Sequence, residues 1–251
     1  MMKLKGKVAL ITGASRNIGR ATALAIAEEG GDVVLTTRES MDALDAVARE
    51  VRARGVRALP LQADIRDGQA MRQVVRRSEN EFGKVDILVN NAVDRGPRAQ
   101  TPFLEVTGEQ WETVLNINLG GPFNSVQAVL PGMMSRRWGR IVNFSGINGQ
   151  WGFEYRTALA TAKAGIIGFT KSLAHELGEF NITVNAISPA AIEGVRPWSD
   201  AEPSLSEAVA RSAIKRKGRP AEVASLVAYL CTDEAGYITG QLLPVNGGAH
   251  V

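Results

Sequence analysis

The sequence has one cysteine, Cys231, and only two histidines, His175 and His250. A single thiol can neither form a disulfide within the chain nor build a cysteine-ligated metal cluster. Two histidines leave little for a histidine-built metal site. We therefore expect no bound metal, and the absence of disulfides is typical of the reducing cytoplasm.

Strong net charge and long apolar runs are also missing. The 29 Lys and Arg residues against 26 Asp and Glu give a net charge of +3 without a dense basic run, so we expect no nucleic-acid partner. The apolar stretch Val8–Thr12 is too short for a signal-peptide core, and no stretch approaches the ~18 residues of a membrane span. Apolar residues still make up 45% of the 251 residues, enough for a substantial core. These features predict a cytoplasmic protein without membrane contact.

Short β-rich runs alternate with longer helical patterns along the chain. The predicted strands are Val8–Ile11, Asp32–Thr36, Arg57–Gln62, Asp86–Val89, Arg140–Phe144, Thr183–Ile187 and Gln241–Val245. The predicted helices are Ile18–Glu29, Met41–Ala53, Gln69–Phe82, Glu109–Met134, Ala158–Leu177, Ser204–Lys215 and Ala221–Leu230. Continuously apolar strands are typical of a parallel sheet covered by helices on both faces. The alternation predicts a doubly wound, Rossmann-like α/β fold in a single domain over residues 1–251.

Glycine is abundant, at 26 residues, and two of them flank the turn after the first strand. The segment TGASRNIG (12–19) holds Gly13 and Gly19 between the first strand and the first helix. Glycine lets the backbone approach a pyrophosphate, which the N–H groups at a helix start can bind. This turn predicts a dinucleotide site at the carboxyl ends of the strands.

Two arginines indicate which dinucleotide binds. A carboxylate after the second strand would bind the 2′-hydroxyl of NAD, whereas arginine accommodates a 2′-phosphate. Here Thr37 and Arg38 occupy that position, and Arg16 lies in the glycine turn. The sequence predicts NADP(H) rather than NAD.

The chain resembles the single-domain short-chain dehydrogenase/reductase superfamily. The resemblance rests on TGASRNIG (12–19), Asp64, NNA (90–92), Asn118, Lys163 in ATAKAG (160–165), SP (188–189), GRPAEVA (218–224) and ITGQLLPVNGG (238–248). It implies that Asp64 and Ile65 contact the adenine, that Asn91 and Ala92 line the cofactor, and that Lys163 bonds the nicotinamide ribose. The full expected cofactor site is Gly13, Ser15, Arg16, Ile18, Gly19, Arg38, Asp64, Ile65, Asn91, Ala92, Lys163, Pro189 and Ile192.

The positions that carry proton chemistry in this family differ here. The family places a tyrosine four residues before the lysine, on the same helix face, and a serine thirteen residues before the tyrosine. Those positions hold Leu159 and Gly146, while Lys163 and Asn118 are retained. Loss of a positioned acid costs about 10²–10⁴ in rate, so the resemblance implies an atypical active site.

Tyr155 is the candidate replacement, which makes the expected catalytic residues Lys163, Asn118 and Tyr155. On a continuous helix Tyr155 would lie about 12 Å from Lys163, too far to act. In a loop before the helix it could fold back over the cofactor. The alternative is that Tyr155 packs against Trp151 and Phe153.

Three further positions depart from the family pattern. Asn17 replaces a glycine of the turn, which asparagine tolerates because it adopts positive φ more readily than most residues. Val93 replaces the glycine after Asn-Asn-Ala, where it would crowd the nicotinamide pocket. Gly194 replaces a threonine that would contact the cofactor carboxamide.

Two functions follow as hypotheses. The first is an NADP(H)-dependent oxidoreductase that reduces a carbonyl or an activated C=C, as in the dienoyl-CoA reductase group, which also lacks the tyrosine. The second is an NADP(H)-binding member without redox activity: an isomerase, lyase, cyclase or inactive homologue. Apolar residues at 151–153 and 195–198 indicate a small substrate of apolar character, shaped by a loop at about 190–216. The resemblance also implies a homotetramer built on the helices Glu109–Met134 and Ala158–Leu177.

Overall fold

The computed structural model describes residues 2–93, 101–194 and 209–249, and in these ranges the strands form one parallel sheet. The strands are β1 (Val8–Ile11), β2 (Asp32–Thr37), β3 (Ala58–Gln62), β4 (Ile87–Asn90), β5 (Gly139–Phe144), β6 (Ile182–Pro189) and β7 (Leu242–Val245). Their order is β3-β2-β1-β4-β5-β6-β7. The chain runs outward from β1 to β3 and then returns to β4, so the strand order reverses between β1 and β4. The predicted doubly wound, Rossmann-like fold is confirmed.

Five of the predicted helices, those at Ile18–Glu29, Met41–Ala53, Gln69–Phe82, Ala158–Leu177 and Ala221–Leu230, lie close to their predicted bounds. The helices of the described ranges are α1 (Asn17–Glu28), α2 (Met41–Arg52), α3 (Gly68–Phe82), α4 (Gly108–Leu115), α5 (Gly121–Arg136), α6 (Asn148–Trp151), α7 (Thr157–Leu177) and α8 (Pro220–Leu230). Short 3₁₀ turns cover Phe103–Glu105 and Gly178–Phe180. The helix predicted at Ser204–Lys215 lies partly outside the described residues. Within its described part, residues 209–211 are helical.

Alternate residues of each strand serve two separate cores. In β1, Ala9 and Ile11 pack with α1, α2 and α8, whereas Val8 and Leu10 pack with α3, α5 and α7. The side chains of a strand alternate between faces, so a sheet covered on both sides needs apolar residues at every position. Both faces are therefore covered, and the exposed carboxyl edge is where a ligand can enter. Within the described ranges no helix is long and apolar enough to cross a membrane.

The long helix predicted at Glu109–Met134 is interrupted, which corrects that prediction. A π turn over Asn116–Gly120 joins α4 to α5. Such turns insert one extra residue per turn and are frequent at functional sites. The turn carries Asn118, whose side chain is fully buried.

Candidate active site

Glycine is required at both ends of the turn after β1. A Cβ at position 13 would lie 2.8 Å from Cα of Ala92, and one at position 19 would lie 2.4 Å from the carbonyl oxygen of Gly13. Gly13 also has φ +64°, and Asn17 has φ +51°, which agrees with the expectation for an asparagine there. The turn is therefore closed tightly against the segment that follows β4.

Thr12 and Asn91 hold this turn in place. The Asn91 amide nitrogen donates to the carbonyl oxygens of Thr12 at 3.0 Å and Gly13 at 2.9 Å. In return, the Thr12 hydroxyl accepts from the backbone N–H groups of Asn91 and Ala92, each at 3.1 Å. Asn91 and Ala92 thus fix the glycine turn after β1.

The start of α1 is open to an anion. Arg16 precedes the helix in extended conformation and makes no capping bond, whereas the Asp67 side chain caps α3 through the N–H groups of Gln69 and Ala70. The first N–H groups of a helix have no acceptor within it, and the helix dipole favours negative charge there. Ile18 is buried, so it can offer only its backbone N–H. An uncapped helix start behind a glycine turn fits a dinucleotide pyrophosphate.

Arg38 and Asp64 lie near each other at the far end of this cleft. The pKa of Asp64 is lowered chiefly by hydrogen bonds from Arg66, the closest at 2.5 Å, and also by the charge of Arg38. The Arg38 side chain pairs with Glu39 at 2.8 Å, and the Arg38 carbonyl oxygen accepts from Gln62 at 2.9 Å. Glu39 is a neighbour that the sequence reasoning missed. Two exposed side chains form this pair, so a phosphate can displace Glu39 at little cost.

A residue on α5, Asn124, holds the segment that follows β3. The Asn124 amide donates to the carbonyl oxygens of Ile65 and Arg66, both at 3.0 Å. Ile65 itself packs so closely on α5 that a Cβ at Gly121 would lie 2.3 Å from its Cδ1. The sequence reasoning missed Asn124; its signal is an asparagine inside a helix, where that residue is unfavourable unless its amide has a partner.

Lys163 is buried at the carboxyl end of β5. Its ammonium donates to the carbonyl oxygen of Phe144 at 2.9 Å. The Ser145 hydroxyl donates to the carbonyl oxygen of Lys163 at 2.9 Å, so it points into the protein and cannot replace a hydroxyl at position 146. The π turn that holds Asn118 packs against α7, which brings the two retained catalytic candidates to one region. The Asn118 amide donates to the carbonyl oxygen of Val114 at 2.9 Å.

The residues at the two altered positions carry no group that exchanges a proton. Leu159 is buried one turn before Lys163. Gly146 has φ +79°, and the nearest atom to a Cβ placed there would be the Pro189 carbonyl oxygen, at 3.8 Å. There is space for a serine side chain, but the left-handed backbone favours glycine.

Tyr155 lies in the turn before α7, as the loop hypothesis requires. It has φ +62°, is 52% exposed, and its carbonyl oxygen accepts from the Thr101 N–H at 2.9 Å. Trp151 and Phe153 contact each other, with centroids 6.1 Å apart. The half-exposure of Tyr155 favours the loop hypothesis over packing against Trp151 and Phe153.

The loop after β6 closes the other side of the cleft. The Pro189 carbonyl oxygen accepts from the Ile147 N–H at 3.2 Å, and Ile192 is buried and bridges to Gly218. A Cβ at Gly194 would lie 3.0 Å from Oδ1 of Asn17, so two of the altered positions adjoin each other. Val93 is half-exposed. Residues 195–198, the second of the two apolar segments expected to meet the substrate, lie outside the described residues.

No group of three or more His, Cys, Asp and Glu side chains in the described ranges could hold a metal ion. Cys231 is buried, and burial raises the pKa of its thiol to about 12.

Comparison with known proteins gives consistent matches over nearly the whole chain. The family described as "Enoyl-(Acyl carrier protein) reductase" matches residues 13–250. The chain is 38% identical over 245 residues to a 3-oxoacyl-[acyl-carrier-protein] reductase of Staphylococcus epidermidis, covering 98% of this chain and 99% of the relative. It is 40% identical over 250 residues to a 3-oxoacyl-[acyl-carrier-protein] reductase of Synechocystis, covering 99% and 98%. Among solved structures, NAD⁺-bound xylitol dehydrogenase superposes with a TM-score of 0.90 at 33% identity, covering 98% of this chain and all of the other.

Proposed function

This chain belongs to the short-chain dehydrogenase/reductase superfamily of oxidoreductases, and on that premise we propose an NADP(H)-dependent reductase with an atypical active site. The proposed substrate carries an activated C=C bond or a carbonyl. The observation that carries the proposal is the buried Lys163 ammonium at the same sheet edge as the open phosphate-binding turn. Bound NADPH would supply the hydride.

The arginines support NADP(H) over NAD. Arg38 follows β2, where Thr37 stands in place of a carboxylate, and Arg16 is exposed in the turn. The planar guanidinium binds a phosphate through paired hydrogen bonds. The proposed cofactor site keeps the residues expected from the sequence, with Ile18 and Ile192 acting through backbone because their side chains are buried.

A proton must accompany the hydride, and Leu159 cannot provide it. We assign this task to a water held by the Lys163 ammonium and the Asn118 amide, from which a proton passes to the substrate carbon or oxygen. The exposed phenol of Tyr155 is the second candidate donor, reaching over the cleft from its turn. Reduction of an activated alkene ends with protonation of a carbon atom, whereas reduction of a ketone ends with protonation of the substrate oxygen. The alkene reaction therefore depends less than the ketone reaction on hydroxyl groups at positions 146 and 159.

The test measures NADPH consumption with enones and enoyl thioesters against simple ketones. We expect turnover with the activated alkenes and little with ketones, and the variant Lys163→Met should lose it. Leu159→Tyr, alone and with Gly146→Ser, should add ketone reduction if cofactor geometry is normal. The single change is the cleaner one, because a serine at φ +79° is strained. Failure of NADPH to bind would refute the proposal.

One observation favours the non-redox alternative. Gly146 has a left-handed backbone that favours glycine, so this position differs from the family pattern in its backbone conformation as well as in its missing hydroxyl. A site reassigned to isomerisation, elimination or cyclisation would bind NADPH tightly and transfer no hydride across the panel. A fluorescence titration beside the turnover assay separates the two functions.

The assembly is proposed to be a cytoplasmic homotetramer in which α5 and α7 pack across a two-fold axis. The exposed glycine Gly168 on α7 supports it, since a Cβ there meets no atom within 4 Å. A small residue on a helix face permits close approach of a second helix.

A further inference from the structure

The side-chain amide of Gln150 has two ends with different surroundings. Its Oε1 accepts a hydrogen bond of 2.6 Å from the hydroxyl of Ser188, a fully buried residue of β6. Its Nε2 carries two N–H donors, which meet no acceptor among the described residues and are open to solvent. Gln150 therefore offers a ligand two donors that the protein itself does not use.

Ser188 determines which end of this amide faces the protein. Its hydroxyl holds the acceptor end, so the donor end is directed away from β6. A glutamine side chain that is free in solution loses rotamer freedom when it binds a ligand, and this loss weakens binding. Because Ser188 already restrains the side chain of Gln150, that loss is reduced and the donors are arranged in advance.

Helix α6 places the amide at the carboxyl edge of the sheet, beside Lys163. The helix packs closely on α7, since a Cβ at Gly149 would lie 2.6 Å from the carbonyl oxygen of Lys163 and 2.6 Å from Oγ of Ser145. Ser188 lies near the end of β6, which pairs with β5. The Lys163 ammonium is bound at the end of β5. The donors of Gln150 and the proposed catalytic ammonium therefore lie at the same edge, on neighbouring strands.

Gln150 does not fill the space of the hydroxyl that is missing at position 146. The nearest atom to a Cβ at Gly146 is the carbonyl oxygen of Pro189 at 3.8 Å, and no atom of Gln150 lies within 4 Å of that Cβ. The amide therefore meets a part of the substrate other than the one that a hydroxyl at position 146 would contact.

We propose that the Gln150 amide binds the carbonyl oxygen of an α,β-unsaturated substrate and stabilises the enolate that forms at this oxygen. This inference rests on the proposed function. A hydride from NADPH, which is thereby oxidised to NADP⁺, adds to the β carbon and forms a C–H bond there. The π bond of the alkene breaks, and its electron pair moves through the α carbon onto the carbonyl oxygen. A proton from the proposed water at Lys163 then binds to the α carbon, and the C=O bond forms again.

The fixed donors act mainly on the transition state of this reaction. The carbonyl oxygen gains negative charge as the hydride arrives, so its hydrogen bond to Nε2 becomes stronger than in the bound substrate. The substrate class is therefore an enone or an enoyl thioester, in which a carbonyl is conjugated with the alkene. An isolated alkene has no oxygen for Gln150 to bind.

Infrared difference spectroscopy tests the hydrogen bond in a complex that cannot turn over. The full chain is saturated with NADP⁺ and given 4-phenyl-3-buten-2-one, with and without carbon-13 at the carbonyl, so that the difference spectrum isolates the C=O stretch. A hydrogen bond lowers this frequency, and we expect a lower value in the wild type than in Gln150→Met. The proposal would be overturned if the wild type bound no enone, or if its C=O frequency equalled that of the ketone in a solvent without donors.

Steady-state kinetics with NADPH and the same enone measure the contribution of the amide. Gln150→Met should lower kcat by about 10²-fold, as expected for the loss of a donor to a developing oxyanion. Gln150→Glu retains an acceptor for the Ser188 hydroxyl but replaces the donor nitrogen by an oxygen, so it should lose as much activity. Gln73→Met is the matched control, because Gln73 is an exposed glutamine on α3, and it should change kcat less than about twofold.

A double variant tests Ser188 as a positioning residue. Ser188→Ala removes one neutral hydrogen bond and should lower kcat about 2- to 10-fold. In the Gln150→Met background it should have no further effect, because no amide remains to be oriented. Equal losses in both backgrounds would show that Ser188 only supports the fold. A wild type that does not bind NADPH would count against the proposed function, whereas full enone turnover by Gln150→Met counts against this inference alone.

Discussion

Replacement of Arg38 by leucine should weaken NADPH binding and leave NADH binding unchanged. NADPH differs from NADH only at the 2′-phosphate, so the side chain that binds this phosphate acts on one cofactor. A hydrogen bond to a charged group is worth about 1.5–3 kcal/mol, and the Arg38 side chain is 44% exposed, which places the loss near the lower end. About 1.5–2 kcal/mol corresponds to roughly a 10- to 30-fold weaker Kd.

Replacement of Glu39 should change NADPH affinity in the opposite direction to replacement of Arg38. The carboxylate of Glu39 pairs with Arg38 at 2.8 Å and repels an incoming phosphate. Glu39→Gln should therefore tighten NADPH binding a few-fold, again without effect on NADH. The assay is a titration of NADPH or NADH fluorescence at constant ionic strength, since salt screens both interactions.

The matched control is Arg20→Leu. Arg20 lies on α1, pairs with Glu50, and has a side chain 45% exposed, close to that of Arg38. It should leave both cofactors unaffected, which separates a site effect from a change in net charge. If Arg38→Leu weakened NADPH and NADH equally, or neither, the assignment of the 2′-phosphate to Arg38 would be wrong.

Three further predictions concern other parts of the molecule. Asn17→Gly should weaken NADPH binding about 3- to 10-fold, measured by calorimetry, because it removes an amide beside Gly194. The Tm should stay within a few degrees, since glycine adopts the left-handed backbone at position 17 without strain. An unchanged Kd would show that the amide does not face the cofactor. Cys231, with its pKa raised to about 12 by burial, should resist alkylation at pH 8 in the native protein and react only on unfolding, and rapid native labelling would contradict this burial. Gly168→Gln should keep or raise the thermal stability of the folded chain, since a side chain at position 168 meets no other atom and glutamine favours a helix more than glycine does. The mass measured by light scattering should fall below that of a tetramer. An unchanged tetramer mass would exclude close packing of α7 against another helix at this position.

The sheet was predictable because a strand buried on both faces is apolar at every position. Val8–Ile11 and Val33–Leu35 are such runs between longer helical patterns, and the strands that hold them are found within one residue of their predicted bounds. The π turn at Asn116–Gly120 was not predictable, since one extra residue in a helical turn leaves the local 3.6-residue period on either side unchanged.

The sequence predicted the site residues at positions where the backbone requires one residue type. It did not predict contacts between residues far apart in the chain. Gly13 and Gly19 follow from the need for close backbone approach, and the geometry agrees. The bond from Asn124 to the segment after β3 joins residues 59 positions apart, and nothing local to Asn124 reveals its partner. Glu39 directly follows Arg38, but a side-chain pair between adjacent residues depends on their rotamers, which the sequence does not show.

The positions that depart from the family pattern form two pairs. In one pair a neighbouring side chain compensates for the missing one, and in the other pair none does. Asn17 and Gly194 adjoin each other, so an amide gained on one loop occupies the space beside the side chain missing from the other. Gly146 and Leu159 lack such an exchange, because the hydroxyls at the nearby strand ends are already used: Ser145 donates to Lys163, and Ser188 donates to Gln150 at 2.6 Å. These contacts support the proposed NADP(H) site at the glycine turn, and they support the proposed proton path through Lys163 and Asn118, which uses neither position 146 nor position 159.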